Sequence, residues 1–142
     1  MKALLLAAGL GTRLRPLTDN IPKCLVPINN KPLLGYWLEQ LSAVGVTEFH
    51  INTHYFAPQV EAFLEPLKIK YNIITHFETT LHGTLKTFQL LSKQLFNDEQ
   101  PIIVAHADNL VFCNWQEFIE FHQKAPRDIV ASMMTFKTST PA

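Results

Sequence analysis

Lys2-Ala3-Leu4-Leu5-Leu6-Ala7-Ala8, running without a break into Gly9-Leu10-Gly11-Thr12-Arg13-Leu14-Arg15, decides how this chain is read. A short continuous apolar run bounded by glycine is the pattern of a strand covered on both faces, as in a parallel sheet. Residues 2–8 are therefore read as the first strand. Glycines directly after such a strand permit close approach of a ligand, because no Cβ stands in front of the backbone N–H groups. Arg13, Arg15 and Lys23 place fixed positive charge beside the loop. Backbone donors and cations together point to a nucleoside triphosphate as the ligand class.

The loop differs from the better-known phosphate motifs. It lacks the Gly-Lys-Ser/Thr ending of a P-loop, and Gly9-Leu10-Gly11 has no third glycine to complete a dinucleotide fingerprint. The longer pattern is more specific. Gly9-x-Gly11-Thr12-Arg13-x-x-Pro16-x-Thr18 is followed by Pro22-Lys23-x-Leu25-x-Pro27. This resembles the signature of the sugar-phosphate nucleotidyltransferases, the pyrophosphorylases that make NDP-sugars, and within them the mannose-1-phosphate guanylyltransferase-like branch. The resemblance covers nearly the whole chain, most specifically residues 3–28 and more loosely 78–84 and 104–109.

Composition bounds the remaining classes. A chain of 142 residues with an apolar fraction of 47% suits one globular domain with a sizeable core and argues against disorder. The formal net charge is zero, so no polybasic footprint favours nucleic acid or an anionic membrane as partner. Cys24 and Cys113 are too few for a disulfide framework, and free thiols suit a reducing compartment. The apolar run after Met1-Lys2 is too short to span a bilayer and lacks a small-residue cleavage site. A cytoplasmic location is expected.

Strand-like and helix-like segments alternate along the chain. Leu33, Leu34, Trp37, Leu38, Leu41 and Val44 recur at helical spacing, with Pro32 near the start and Gly45 as the stop. Glu48 to Thr53 reads as the second strand, Pro58 to Leu64 as a short helix and Ile69 to Phe77 as the third strand. Thr84 to Leu95 carries Leu85, Phe88, Leu91 and Leu95 on one face of a helix. Pro101 to Ala105 is a buried strand, Asn114 caps a helix over Trp115 to Gln123, and Asp128 to Phe136 reads as a fifth strand. This succession predicts an α/β fold with a doubly wound, mostly parallel, Rossmann-like sheet and right-handed crossovers. Ligands of such sheets bind outside the carboxyl ends of the strands. Gly9–Arg15, Glu78–Thr84 and His106–Asn109 all fall at such ends.

Particular residues carry the expected chemistry. Nucleotidyl transfer builds charge on departing pyrophosphate, where a planar Arg donor and a Lys point charge are useful. The resemblance carries Arg13 and Lys23 over as catalytic phosphate ligands, with Lys23 also reaching the sugar phosphate. It places Leu6, Ala8, Gly9, Gly11, Thr12 and Arg13 around the nucleotide, whereas Arg15 stands at a variable position of the pattern. Asp108, emerging after an apolar strand, suits Mg²⁺, which takes few protein carboxylates and completes its shell with phosphate oxygens and water. The family usually shows Gly-Asp here, and this chain has Ala107-Asp108. In Glu78-Thr79-Thr80-Leu81-His82-Gly83-Thr84 the resemblance brings Gly83 up to the nucleobase and puts Glu78 where the family has a polar base-reading side chain. The family often continues Gly-Thr-Ala-Gly, whereas Leu85-Lys86 follows here, so base selectivity stays open. Asn52 and His54 close the second strand near the nucleotide, without a required side-chain contact. Neither cysteine has an evident base beside it, which argues against thiol catalysis.

The resemblance therefore implies an enzyme that joins a nucleoside triphosphate and a sugar 1-phosphate, giving an NDP-sugar and pyrophosphate with Mg²⁺ as cofactor. Relatives run well past this length, so residues 1–142 are expected to be the nucleotide-binding part of a single nucleotidyltransferase domain. The sheet would then be truncated and the sugar-binding remainder absent. Its uncovered apolar edge invites self-association, which keeps a homo-oligomer open. Two alternatives stay open: a non-catalytic nucleotide-binding or regulatory module, and a cytidylyltransferase acting on an alcohol phosphate such as phosphocholine.

Overall fold

The structure is a computed structural model and describes residues 1–135 and 137. Two compact units divide the chain, Met1–Val111 and the segment from Phe112 onward. In the first unit β1 (Lys2–Leu6), β4 (Glu48–Thr53), β5 (Asn72–Phe77) and β6 (Ile102–His106) form one sheet in the order β5-β4-β1-β6. All three pairings are parallel, with Leu4 opposite both His50 and Val104, and His50 opposite Ile74. Every residue of β1 is buried, as its unbroken apolar run requires.

Helices α1 (Leu33–Ala43), α2 (Ala57–Leu64) and α3 (Thr84–Leu95) supply the crossovers. The α1 stop is a Schellman motif. Gly45 has φ +89°, its N–H donates to the Ser42 carbonyl at 3.1 Å, and the Val46 N–H donates to the Leu41 carbonyl at 3.1 Å. Leu91 and Leu95 of α3 pack with Leu4 and Leu6, covering one face of β1. The Lys2 ammonium, itself buried, reaches the carbonyls of Gln94 and Leu95 at 3.3 and 3.4 Å and pairs with Asp98 at 3.2 Å. A cation thus closes the carbonyl end of α3, where the helix dipole favours it. The path β1, β4, β5 moves outward and then recrosses β1 to lay down β6. That reversal puts a switch point between the carboxyl ends of β1 and β6.

Several expectations shift. The third strand begins at Asn72 rather than Ile69, because Glu65–Ile69 close as a 3₁₀ turn with Pro66 at its start. A small hairpin of β2 (Pro27–Ile28) and β3 (Lys31–Pro32) appears where no strand was read. Asn29 and Asn30, with φ +48° and +62°, supply the two left-handed residues of its tight turn. In the second unit α4 (Trp115–Gln123) is as expected, and the Asn114 side chain accepts from the Glu117 N–H at 3.2 Å. The fifth strand over 128–136 is not formed at residues 128–135, and Phe136 lies outside the described residues. A run rich in apolar residues makes a strand only when a ladder partner takes its backbone groups, and here the Ile129 N–H turns back to the Pro126 carbonyl at 2.9 Å. Val130 is 92% exposed. Among the described residues no helix is long and apolar enough to cross a membrane.

A row of polar side chains lies between β4 and β5. The rings of His50 and His76 stack with centroids 5.1 Å apart, and His50 Nδ1 lies 2.9 Å from His76 Nε2. His50 Nε2 lies 2.9 Å from Glu48 Oε1. A carboxylate accepts, so His50 donates from Nε2 and receives the His76 Nε2–H at Nδ1. Burial, and then the neighbouring His50, hold His76 below the ordinary imidazole value. Its neutral form therefore favours folding, a contribution present above about pH 6.5 and lost as pH falls through the lowered folded value. Urea midpoints are expected to drop between pH 7 and pH 5 by more in the wild type than in His76→Gln. Equal drops would remove His76 from the titration.

Candidate active site

The end of β1 is clasped from both sides. The Leu6 carbonyl accepts the Ala107 N–H at 3.0 Å, and the Ala7 N–H donates to Asn52 Oδ1 at 2.7 Å. In a parallel ladder a backbone carbonyl would take that N–H. A side-chain amide takes it here, which lets the chain leave the sheet at the switch point. Ala7 and Ala8 are buried, and the following loop turns at Gly11, φ +67°. A Cβ at Gly11 would stand 3.1 Å from Thr18 Cγ2 and 3.2 Å from Lys23 Cβ, so a side chain there is strained by the backbone conformation and crowded by both neighbours. The Gly11 carbonyl accepts the Leu14 N–H at 2.9 Å and the hydroxyl of fully buried Thr18 at 2.7 Å. A Cβ on Gly9 would meet nothing within 4 Å, leaving its surface open.

This loop walls a cleft of about 260 Å³, lined by Gly9, Gly11, Thr12, Arg13, Lys23 and Asp108 together with Leu10, Leu14 and Leu81. The structure thus brings six of the sequence-derived site residues to one concavity. The Lys23 ammonium donates to Asp108 Oδ2 at 2.8 Å, joining residues 85 positions apart. Arg13 sits in the 3₁₀ turn Thr12–Leu14, and no ion pair to a described residue holds it. Arg15 instead pairs with Asp19 at 3.4 Å and does not line the cleft. Leu6 and Ala8 are buried beneath the loop rather than lining it.

Glu78 and Gly83 lie on the loop after β5, beside the cleft wall at Leu81 rather than in its lining. Gly83 has φ +77° and ψ 163°, which glycine tolerates, and a Cβ there would meet nothing within 4 Å. Its carbonyl accepts the Thr87 N–H at 3.0 Å to start α3. The Glu78 carboxylate is buried and engaged by the protein itself. Oε1 accepts from Asn52 Nδ2 at 2.9 Å and from the Thr87 hydroxyl, and Oε2 accepts the His82 N–H at 3.2 Å. Burial alone would raise this carboxyl, but the bonds from Asn52, Thr87 and His82 outweigh it and hold it below the usual value.

The cleft offers chemistry to an anion at one side and a cation at the other. Arg13, Lys23 and the open backbone at Gly9 suit phosphate oxygens. Asp108 lines the same space, and among the described residues no group of three or more His, Cys, Asp or Glu is placed to hold a metal ion. One carboxylate beside phosphate-binding groups fits Mg²⁺, which accepts a sparse protein shell when phosphates and water complete it. Thiol chemistry does not fit. Burial, with a smaller contribution from the Asp108 charge, pushes the Cys24 thiol up to about 12. Sequence reasoning missed Thr18, Leu81 and Thr87, and left Asn52 without a role. Their signal is tertiary, although a Thr seven residues beyond Gly11 is visible in the motif.

The family model of nucleotidyl transferases matches residues 2–142. The mannose-1-phosphate guanyltransferase of Aspergillus oryzae is 36% identical over 126 residues, covering 87% of this chain and 35% of that protein. Among solved structures, the CTP:phosphocholine cytidylyltransferase of Streptococcus pneumoniae is similar with TM-score 0.67 and 39% identity, over 80% of this chain and 47% of that one. HddC from Yersinia pseudotuberculosis, solved in complex with GMP-PN, gives TM-score 0.70 and 27% identity over 87% and 54%. The chain thus spans about a third of the length of the curated relative and about half of these solved chains. A parallel sheet whose switch point holds a Gly-x-Gly-Thr-Arg loop facing Lys23 and Asp108, matched by the family model along its length, makes this chain a member of the nucleotidyl transferase family.

Proposed function

We propose that residues 1–142 form the nucleotide-binding part of an enzyme joining a nucleoside triphosphate to a sugar 1-phosphate, with release of pyrophosphate. The supporting observation is the convergence of Gly9, Gly11, Arg13, Lys23 and Asp108 on one cleft at the switch point. In the reaction a sugar phosphate oxygen attacks the α-phosphorus, and the bond to the bridging oxygen breaks with its electron pair leaving on pyrophosphate. Arg13 binds and neutralises the departing phosphates. Lys23 places its ammonium between the two reacting phosphates, and Gly83 with the Glu78 segment borders the base. Bound Mg²⁺, held through Asp108, would supply further charge neutralisation. Such catalysis is mainly positioning and electrostatics, so both phosphates must be held in line.

A pyrophosphate-release assay tests this, with GTP, dTTP, UTP and CTP each paired with mannose 1-phosphate, glucose 1-phosphate and phosphocholine. Residues 1–142 alone are expected to bind triphosphate and to release little pyrophosphate, because the residues assigned above serve the phosphates and the base rather than the sugar ring. Robust turnover by pure 1–142 would overturn the assignment of these residues to the nucleotide side of the reaction alone. The likeness to the phosphocholine cytidylyltransferase at 39% identity supports a second reading, in which the acceptor is an alcohol phosphate, less well than the mannose-1-phosphate guanyltransferase relative supports the first. Selective turnover of CTP with phosphocholine decides for it.

Asp108→Asn keeps an acceptor for Lys23 and is expected to leave the fold intact. It should remove most of the Mg²⁺-dependent part of nucleotide affinity, bringing the ratio of Kd without and with Mg²⁺ toward unity. An unchanged ratio in titration calorimetry would take Asp108 out of the metal site.

A further inference from the structure

Between the two halves of the cleft runs one continuous set of buried hydrogen bonds, and Asn52 is its centre. At the carboxyl end of β4 its amide oxygen takes the Ala7 N–H of the phosphate-side loop at 2.7 Å. Its amide nitrogen gives a proton to Glu78 Oε1 at 2.9 Å. Glu78 in turn collects the Thr87 hydroxyl of α3 and the His82 N–H of the base-side loop, while its own N–H donates to the Thr53 carbonyl at 2.8 Å. His54 Nδ1 lies 2.8 Å from the Glu78 carbonyl. Asn52, Glu78 and Thr87 are all buried. A side-chain amide offers an acceptor and a donor on separate atoms, and this position uses both functions.

We infer that Asn52 is a positioning residue that sets the spacing between the phosphate-binding loop at Ala7–Arg13 and the base-side loop at Glu78–Gly83. The inference rests on the nucleotide-binding reading above and says how that site achieves its fit. A triphosphate touches only the first loop, whereas a nucleotide spans both. The linkage therefore governs the extra affinity that a nucleotide has over a bare triphosphate, through Glu78 and the loop it holds. Burial makes the linkage consequential, because an unpaired polar group there has no water to turn to.

The experiment measures binding of inorganic tripolyphosphate and of each of GTP, dTTP, UTP and CTP to the wild-type chain and to three variants. Asn52→Asp keeps the acceptor for Ala7 but sets a carboxylate against Glu78 in place of a donor. The ratio of nucleotide to tripolyphosphate affinity, for the preferred base, is expected to fall about tenfold, and the spread among the four bases to narrow. A loss of folded protein alone would lower all affinities together and leave the ratio intact. Thr87→Val, which removes one donor to Glu78, is expected to lower the same ratio about threefold. The exchanged pair Asn52→Asp with Glu78→Gln restores a donor across the gap. Its glutamine amide gives one proton to the new carboxylate and the other to the Thr87 hydroxyl, and its oxygen accepts His82 N–H. The ratio is expected to return to within about threefold of wild type. An unchanged ratio in Asn52→Asp, or no recovery in the exchanged pair, overturns the inference. Where Asn52→Asp does not fold, Thr87→Val and the exchanged pair decide it by the same ratios. A wild-type chain that binds tripolyphosphate and no nucleotide would instead overturn the nucleotide-binding reading.

Discussion

Arg13→Ala is expected to lower kcat/KM of the nucleotidyl transfer proposed above by roughly a hundredfold to a thousandfold, the scale seen when a charge-stabilising donor is removed from a transition state. Arg13 lines the cleft, and no ion pair to a described carboxylate holds it, so its guanidinium is available to a ligand. Its turn is kept by bonds to the Gly11 carbonyl from the Leu14 N–H and from the Thr18 hydroxyl, both of which the substitution leaves alone. In the 1–142 chain the same change is expected to weaken triphosphate binding about tenfold or more, as loss of a charge-assisted hydrogen bond implies. Arg15→Ala is the control. That residue pairs with Asp19 on the surface, and an exposed pair contributes at most about 1 kcal/mol, so binding should stay nearly constant. Near-normal binding and turnover in Arg13→Ala would remove it from the site.

Phe49→Ala is expected to destabilise the Met1–Val111 unit by about 3–5 kcal/mol, the usual range for a buried aromatic truncated to alanine. Phe49 is 1% exposed in β4, opposite Ala3 of β1 and Ile73 of β5. Its ring meets Tyr71 edge to face at a centroid distance of 5.8 Å, and that contact is lost with the burial. Domains of this size are stable by only about 5–15 kcal/mol, so the variant should unfold at markedly lower urea and yield less folded protein. Triphosphate affinity per folded molecule should be preserved, because Phe49 does not line the cleft. Phe121→Ala, at a ring that is 66% exposed in α4, should shift stability by no more than about 0.5 kcal/mol. A urea midpoint unchanged in Phe49→Ala would contradict the packing described for this sheet.

Local sequence determined a large part of this protein. The apolar run 2–6, the helix over 84–95 and the Asn114 cap are legible because each rests on neighbours a few residues away. The Gly-x-Gly-Thr-Arg loop is legible for the same reason, since Gly11 must be left-handed and Thr18, seven residues on, closes the turn behind it. What the alternation of elements could not contain is which strands lie side by side. Laying β6 against β1 brings Asp108 to Lys23, and laying β5 against β4 brings Glu78 to Asn52. Both contacts join residues far apart in the chain, so no local pattern encodes them. The same limit explains residues 128–135. Their apolar-rich composition resembles that of a strand, but a strand is completed by hydrogen bonds to a partner, and whether a partner is present is a property of the tertiary structure alone.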